Sequence, residues 1–265
     1  MPTVIDVDTA LSLRDYAPAA DNTVCLVIDV IRASSTIVSL LDNDCRRVYT
    51  LAEEEQARRL GSERQMITSG EWQGRKLPGF DMDNSPAEAR RSPVRGRDVA
   101  LCTSNGTRVI DKAKNSVDLF IASLLNARSC ARAGLAAAQA AACGITIVCA
   151  GQYGRFVLDD AYCAGHLLQD LEVLGADSGV ELRMSDAAKA AKALTTAYPD
   201  ARTAFLDSAS GQVLLEAGGR EDFECCLQIN TSRVVPYMQL EDGLIWFSDW
   251  EDEISTNTRR ENHDS

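Results

Sequence analysis

The loop that follows the apolar run Thr23–Ile28 combines a carboxylate with a guanidinium group. Asp29 comes directly after the run, and Arg32 lies three residues further on. A carboxylate in this place can bind Mg²⁺ or attack phosphorus, and a guanidinium can bind an anion through two parallel hydrogen bonds. Ser34 opens the next predicted helix, whose first backbone amides face the same space. The alternative is an Asp–Arg ion pair beside an ordinary helix cap.

A second polar loop follows the apolar run Asp98–Cys102 and contains Asn105, Gly106 and Thr107. A glycine turn between a strand and a helix can present several backbone amides to a phosphate group. Many turns without a ligand have the same composition, because Asn-Gly pairs tolerate positive φ angles. The loop is therefore a candidate anion-binding turn, with an ordinary turn as the alternative.

A third polar loop follows the run Gly144–Cys149 and carries Arg155. Asp159 and Asp160 stand at the start of the next predicted helix, where acidic side chains can simply complement the helix dipole. Two carboxylates close to arginines and backbone amides can equally hold a metal ion. We take Asp160 as the candidate metal ligand and assign Asp159 to the helix dipole.

The segment between residues 69 and 86 is rich in Gly, Pro, Asp and Asn. A loop of this length in a compact domain is commonly functional. Glu71 and Asp81 are its candidate metal ligands, and Asn84 and Ser85 are its candidate substrate-binding residues. For Ser85 the alternative is the N-cap of a helix, because a proline follows it.

Strands and helices alternate along most of the chain, and this alternation predicts how the polar loops come together. Each of the three apolar runs has the length and composition of a buried strand and leads into a helix. The pattern favours a mostly parallel sheet with helices on both faces, which is a three-layer α/β/α fold. Ligands of open parallel sheets bind outside the carboxyl ends of the strands, where all three loops begin. We therefore expect one site at that edge of the sheet.

The pattern changes near residue 221, after which the chain favours short strands. They are predicted at 226–229, 234–238 and 244–246. We expect them to add antiparallel strands at an edge of the sheet. Residues 1–247 are interpreted as one α/β domain, and residues 248–265 as an acidic disordered tail, because that segment has little apolar surface to bury.

Net charge and cysteine content limit the compartment and the partners of the protein. The formal net charge is −12, so the surface repels nucleic acids and anionic lipids. The nine cysteines are odd in number and lack zinc-site spacing, which argues against a disulfide framework. No signal peptide is recognised, and no apolar run approaches the roughly 18 residues of a membrane span. We expect a reduced, cytoplasmic protein that binds a small anionic phosphorylated substrate. The sequence does not decide whether the protein forms a homo-oligomer.

Two other functions have to be weighed against this interpretation. Residues 4–9 are similar to the DxDxT pattern of the haloacid dehalogenase phosphatases, in which Asp6 would be the nucleophile. The chain lacks an ordered set of the partner motifs, in particular a well-placed lysine between the Asp loop and the acidic pair. The second alternative is a non-catalytic module that binds a phosphorylated acid through the same loops.

Taken in order, several segments of the chain resemble the 2-phosphosulfolactate phosphatase family. These segments are residues 27–36, 78–86, 102–107, 122–127, 149–155 with Asp160, and 226–228. The resemblance implies a three-layer α/β/α fold with a mixed sheet, a requirement for Mg²⁺, and hydrolysis of 2-phosphosulfolactate to sulfolactate and phosphate, a step in coenzyme M synthesis. Three residues depart from the family pattern: Asp83 replaces a Gly, Ser104 replaces a Thr, and Asp159 replaces a Glu.

The loops and the resemblance together lead to one expected site. The carboxylates expected to hold Mg²⁺ are Asp29, Glu71, Asp81 and Asp160. The catalytic residues are expected to be Asp29, Arg32, Asn105 and Arg155. Substrate binding is assigned to Ser34, Asn84, Ser85, Gly106, Thr107 and Asn126. Asp29 either attacks phosphorus directly or binds the metal while water attacks.

Overall fold

Within residues 3–17 and 22–251, which the computed structural model describes, eleven strands form one mixed sheet. They are β1 (Thr3–Ala10), β2 (Thr23–Ile28), β3 (Arg47–Leu51), β4 (Ile67–Trp72), β5 (Arg75–Lys76), β6 (Asp98–Cys102), β7 (Asp118–Ala122), β8 (Gly144–Cys149), β9 (Val180–Met184), β10 (Pro236–Glu241) and β11 (Leu244–Asp249). Their order across the sheet is β5-β4-β6-β3-β11-β10-β7-β2-β8-β1-β9. Strands β9, β1, β8, β2 and β7 pair in parallel, and so do β3, β6 and β4. The mostly parallel sheet is confirmed.

Helices cover both faces of this sheet in the described part of the chain. They are α1 (Ala33–Asp42), α2 (Glu54–Arg64), α3 (Pro86–Ala89), α4 (Gly106–Ala113), α5 (Ala127–Ala141), α6 (Leu158–Ser178), α7 (Asp186–Ala197), α8 (Ala201–Asp207), α9 (Ala209–Glu216) and α10 (Arg220–Cys226). Helices α5 and α6 pack on one face of β2 and β8, and α2 covers the same face of β3, β4 and β6. Helices α1 and α4 cover the opposite face. The three-layer α/β/α fold is confirmed.

Strand β2 shows how the sheet separates the two layers of helices. Val24, Leu26 and Ile28 point toward α5 and α6, whereas Cys25 and Val27 point toward α1 and α4. All five side chains are buried. A central parallel strand that is covered on both faces has a continuous apolar sequence rather than an alternating one. This explains why β2 was recognisable from its sequence.

The hairpin formed by β10 and β11 lies in the middle of the sheet, between β7 and β3, so the expectation of edge strands was wrong. The two strands are antiparallel, as expected. Asp242 and Gly243 both have positive φ angles and form the two-residue turn between them. Phe247 of β11 is fully buried. The hairpin therefore completes the core instead of extending an edge, because Ile245, Trp246 and Phe247 of β11 are buried on both faces of the sheet.

The C-terminal boundaries also differ from those expected. Residue 226 is the last residue of α10, and the segment 227–229 is not a strand. Strand β11 continues to Asp249, so residues 248 and 249, which were assigned to the tail, belong to the sheet. Trp250 packs against Tyr237, with ring centroids 4.5 Å apart. The remainder of the predicted tail, residues 252–265, lies outside the described residues.

The two parallel halves of the sheet run in opposite directions because of the central hairpin. Strand β10 is antiparallel to β7, and β11 is antiparallel to both β10 and β3. In a flat sheet, the carboxyl ends of β2 and β6 would therefore lie at opposite edges. Strand twist turns β6 by roughly 100° relative to β2 over the five pairings between them. This twist allows the loops after β2, β6 and β8 to approach one another.

None of the described helices is long and apolar enough to cross a lipid bilayer. All nine cysteines are free thiols. Every one of them except Cys143 is buried, so these side chains pack as small apolar groups.

The contact between α6 and α7 depends on the absence of a side chain at Gly165. A Cβ atom there would lie 2.6 Å from the backbone oxygen of Ala191, so Gly165→Ala forces the two helices apart. We expect a loss of about 1–3 kcal/mol in the free energy of unfolding, measured by urea denaturation. Gly134→Ala in α5 is the matched control, because the three atoms nearest its Cβ would belong to the side chain of Leu26 rather than to backbone. Equal losses in both variants would contradict this explanation.

Candidate active site

A cavity of about 120 Å³, open to solvent, lies where several loops meet. Its wall comes from the loop after β2, the turn between β4 and β5, the loops after β6 and β8, and helix α9. Five of the predicted site residues line it: Asp29, Arg32, Glu71, Asn84 and Asn105. The apolar part of the wall is provided mainly by α9 and the residue after it. The structure therefore brings the separate polar loops of the sequence to one place.

Asp29 is a nearly buried carboxylate in the wall of the cavity, with 8% of its surface exposed. Its backbone N–H donates to Ser34 Oγ at 2.8 Å, and the Ser34 N–H donates to the Asp29 carbonyl oxygen at 2.8 Å. Burial raises the pKa of Asp29, and the nearby charge of Glu71 raises it further. Ser34 thus fixes the loop that carries Asp29, and a cation in the cavity would favour the charged form of this carboxylate.

The turn after β6 approaches Asp29 most closely at Gly106. A Cβ atom at this position would lie 2.9 Å from Asp29 Oδ2 and 2.8 Å from Ala33 Cβ, so a larger residue does not fit without movement. The neighbouring Asn105 lines the cavity, and its Oδ1 accepts the N–H of Tyr153 at 3.3 Å. The glycine turn therefore places backbone next to the carboxylate, and Asn105 connects it to the loop after β8.

Glu71 joins two of the loops that form the cavity. Its Oε1 accepts the N–H of Ser104 at 2.8 Å, and its Oε2 accepts the N–H of Gly74 at 2.7 Å. Each carboxylate oxygen has a second lone pair after these bonds are made. Glu71 can therefore bind a cation in the cavity while it holds both loops in place.

Asp160 is buried in the first turn of α6 and bridges the loops after β2 and β8. Its Oδ1 accepts the N–H of Val30 and its Oδ2 accepts the N–H of Gly151, both at 2.9 Å. Burial raises the pKa of Asp160, and the charges of Asp159 and Asp29 raise it further. Asp160 is close to Asp29 but does not line the cavity. It therefore holds two loops of the site in place without contacting the cavity.

Asp159, which was assigned to the helix dipole, has unusual surroundings. It is 1% exposed, and neither of its carboxylate oxygens has a hydrogen-bond partner among the described residues. Burial raises the pKa of Asp159, and its own backbone N–H and the nearby hydroxyl groups of Ser210 and Ser208 oppose this effect. Its sequence context, two acids at a helix start, does not distinguish it from Asp160. The site therefore contains one more buried carboxylate than the sequence indicated.

Arg32 forms ion pairs, but its partners are not the ones suggested by the sequence. Its Nη1 donates to Asp83 Oδ2 at 3.1 Å and to Asp222 Oδ2 at 2.9 Å, whereas Asp29 is not a partner. Asp222 also accepts the hydroxyl hydrogen of Ser85, the residue that caps α3. Ser85 is therefore the N-cap of α3, which is the alternative given for it in the sequence analysis. Asp222 was missed because an acid in the first turn of a short helix carries no distinctive signal.

Asp81, Thr107 and Arg155 do not line the cavity. Asp81 is exposed, and one of its carboxylate oxygens accepts both the N–H and the O–H of Thr68 at 2.8 Å, which lowers the pKa of Asp81. The hydroxyl of Thr107, in the first turn of α4, donates to the backbone oxygen of Thr103, which precedes the helix. Arg155 lines an adjacent depression. The expectation of Asp81 as a metal ligand in this cavity is therefore not supported by its position.

Asn126 is fully buried and has no surface in the cavity. Its Nδ2 donates to the backbone oxygens of Ile121 at 3.1 Å and Val234 at 2.9 Å. Its Oδ1 accepts the N–H of Ser123 at 2.9 Å. The expectation that Asn126 orients the substrate is therefore corrected, because its amide is used to connect the end of β7 to the segment before β10.

The oxygen atoms around the cavity suit a hard cation that also binds substrate. No group of three acidic, histidine or cysteine side chains in residues 3–17 and 22–251 is arranged to hold a metal by itself. Asp29 and Glu71 are the two carboxylates in the wall, and Asn84 adds a buried Oδ1 without a partner. Mg²⁺ typically takes one or two carboxylates from the protein and completes its shell with substrate phosphate and water. The donor set therefore fits Mg²⁺.

The fold and the cavity define an α/β protein whose site suits a small phosphorylated acid. The family profile described as 2-phosphosulpholactate phosphatase matches residues 12–241. A probable 2-phosphosulfolactate phosphatase of Thermus thermophilus is 37% identical over 217 residues, covering 82% of this chain and 88% of that protein. Probable 2-phosphosulfolactate phosphatases of Symbiobacterium thermophilum and Clostridium acetobutylicum are 37% and 31% identical, covering 80% and 87% of this chain and 90% and 96% of those proteins.

The chain belongs to the 2-phosphosulfolactate phosphatase family. Enzymes with this name are phosphoric monoester hydrolases. The resemblance inferred from the order of its segments is thereby confirmed.

The structural role of Asn126 predicts that its removal affects stability rather than catalysis. Asn126→Ala leaves buried backbone groups without partners, and we expect a loss of about 2–3 kcal/mol in the free energy of unfolding. Turnover per folded molecule should stay close to that of the wild-type protein. Asn115→Ala, at an exposed position, serves as the control and should change stability by less than about 0.5 kcal/mol. A folded Asn126→Ala protein without activity would restore the substrate-binding role.

Proposed function

We propose that the protein is a Mg²⁺-dependent phosphatase that hydrolyses 2-phosphosulfolactate, or a related phosphorylated 2-hydroxy acid, to the free hydroxy acid and phosphate. Membership of the family supports the reaction class. The observation that carries the proposal is the meeting of Asp29 and Glu71 in one cavity beside the Asn105–Gly106 turn. The free cysteines support a reducing, cytoplasmic environment.

Asp29 and Glu71 are the residues that would hold Mg²⁺, with Asn84 as an additional oxygen donor. The ion would supply positive charge next to the phosphoryl oxygens, where negative charge has to be neutralised in the transition state. Both carboxylates are nearly buried, and burial of a charged carboxylate is unfavourable without a compensating partner. A cation bound between them would remove this cost. This would explain why two nearly buried carboxylates line the same cavity.

Arg32 can contribute to substrate binding although it is already paired. Its Nη1 serves Asp83 and Asp222, whereas Nη2 has one long contact of 3.5 Å to the Gly74 oxygen. A guanidinium group has five N–H donors, so Nε and Nη2 retain donors for a phosphate oxygen. The two acids hold the guanidinium plane in position at the cavity wall. Arg32 therefore acts as a positioned hydrogen-bond donor rather than as a free positive charge.

Two routes for the attack on phosphorus are consistent with this arrangement. In the first, Asp29 attacks phosphorus, the bond from phosphorus to the ester oxygen breaks, and that oxygen takes up a proton from water. A further water molecule then hydrolyses the acyl phosphate and restores the Asp29 carboxylate. In the second, water attacks phosphorus directly and Asp29 accepts its proton or binds the cation. Both routes release the hydroxy acid and inorganic phosphate.

Replacement of Asp29 tests both routes together. Asp29→Asn keeps the size of the side chain but removes its charge, and we expect kcat to fall by at least about 10³-fold. Phosphate release in the presence of Mg²⁺ measures the effect, and circular dichroism checks the fold. The control is Asp6→Asn, because Asp6 is exposed, paired with Arg183 and remote from the cavity lining. Full activity of Asp29→Asn, or loss of activity in Asp6→Asn, would favour the haloacid dehalogenase alternative.

Removal of the cation is expected to abolish phosphate release. We expect 2-phosphosulfolactate to be hydrolysed with Mg²⁺ and not with EDTA, and activity to return when excess Mg²⁺ is added. Phospholactate and phosphoglycolate, assayed in parallel, determine which acid is preferred. Undiminished release in EDTA would contradict the metal requirement. Binding of the phosphorylated acids without any phosphate release would instead support the non-catalytic anion-binding module.

A further inference from the structure

A depression next to the main cavity is lined by two arginines, and no acidic side chain in the described part of the chain lines it. Its wall includes Arg14, Gln152, Tyr153, Arg155 and Phe156. Gln152 and Tyr153 also line the main cavity, so the two spaces share a wall. We propose that Arg14 and Arg155 form a second anion subsite, which binds the acidic group of the substrate that lies farthest from the phosphate. This inference rests on the proposed function and identifies the substrate group that the enzyme selects.

The loop that carries Arg14 is anchored to the body of the protein. Strand β1 ends at Ala10 and runs parallel to β8, so both strands send their loops to the same edge of the sheet. Lys112 donates to the backbone oxygen of Leu13 at 2.9 Å and to that of Tyr16 at 2.6 Å. Arg14 lies between these two anchored residues, so its backbone is held in place before any ligand binds.

Arg155 is held by a tight turn that lies against Arg14. The Arg155 N–H donates to the Gln152 carbonyl oxygen at 3.0 Å, and the Gln152 N–H donates to the Arg155 carbonyl oxygen at 2.9 Å. A Cβ atom on Gly154, inside this turn, would lie 3.3 Å from Arg14 Nε. The side chain of Arg14 therefore packs on the turn that carries Arg155, and both residues border one depression.

The charges of the two spaces are opposite. Arg14 and Arg155 are exposed, and neither forms an ion pair with an acid of the described ranges. In contrast, Arg32 is neutralised by two carboxylates, and the main cavity contains Asp29 and Glu71. A cation and the phosphate group suit the acidic space. A carboxylate or sulfonate suits the basic space, because guanidinium groups bind planar or tetrahedral oxyanions through several N–H donors.

This arrangement defines a class of substrate. A phosphorylated 2-hydroxy acid with a further acidic group on its third carbon would place the phosphate in the main cavity and the further group beside Arg14 and Arg155. A sulfonate and a carboxylate share the required charge and oxygen acceptors. A methyl group in the same place would leave the subsite without a ligand.

The test compares three substrates that differ only at the third carbon: 2-phosphosulfolactate, 2-phosphomalate and 2-phospholactate. For Arg14→Gln we expect kcat/KM to fall by about 10–100-fold with the two substrates that carry the extra acid, mainly through KM. With phospholactate the change should stay below about threefold, since the lost contact is not used. Arg155→Gln should show the same pattern. The matched control is Arg132→Gln on α5, which removes one exposed positive charge away from both spaces and should change none of the three values.

Equal losses for all three substrates in Arg14→Gln would overturn the subsite while leaving the proposed function intact. A wild-type protein that hydrolyses none of them would overturn the proposed function, and calorimetry then decides the subsite separately. In that experiment sulfolactate should bind the wild-type protein more tightly than lactate, and Arg14→Gln should remove the difference. Equal binding of sulfolactate and lactate to the wild-type protein would overturn the subsite as well.

Discussion

The site depends on the two hydrogen bonds that the buried carboxylate of Asp160 accepts. Val30 lies in the loop after β2 and Gly151 lies in the loop after β8, and their N–H groups reach the two oxygens of the same side chain. A buried carboxylate is costly unless its oxygens are hydrogen-bonded, so these contacts stabilise the residue and restrain both loops. Asp29 directly precedes Val30, and Arg155 follows Gly151 in the loop after β8. Asp160 therefore restrains both the loop of the acidic cavity and the loop of the basic depression.

Several buried acidic groups lie around Asp160, and their burial and mutual repulsion are energetically unfavourable. Asp29, Asp159 and Asp160 are all buried, and the pKa of each is raised by burial and, for Asp29 and Asp160, by neighbouring acids. Groups that raise one another's pKa store unfavourable energy unless a cation or a proton is present. A divalent cation bound as proposed would relieve the repulsion between these carboxylates, and cation binding would thereby stabilise the folded protein.

The loops around this cluster come from both parallel halves of the sheet. The central hairpin β10–β11 reverses the direction of the strands that follow it across the sheet. Twist then brings the end of β4 and the loop after β6 to the loops that follow β2 and β8. Glu71 joins the turn after β4 to the loop after β6, as Asp160 joins the loops after β2 and β8. Two carboxylates thus cross-link four loops, and the cavity forms between them.

The sequence by itself determined the buried parallel strands β2, β6 and β8, the layers and the loops that carry Asp29, Glu71 and Asn105, because continuous apolar runs and strand-to-helix turns are local patterns. It did not determine the place of the β10–β11 hairpin, because strand pairing depends on contacts between residues far apart in the chain. The sequence also did not determine which groups individual polar side chains contact. Asp222 reaches Arg32 from a helix 190 residues away, and Asn126 bonds backbone across 108 residues. Only the tertiary structure decides such pairings, because the direction of a polar side chain depends on which unsatisfied groups the folded chain places beside it.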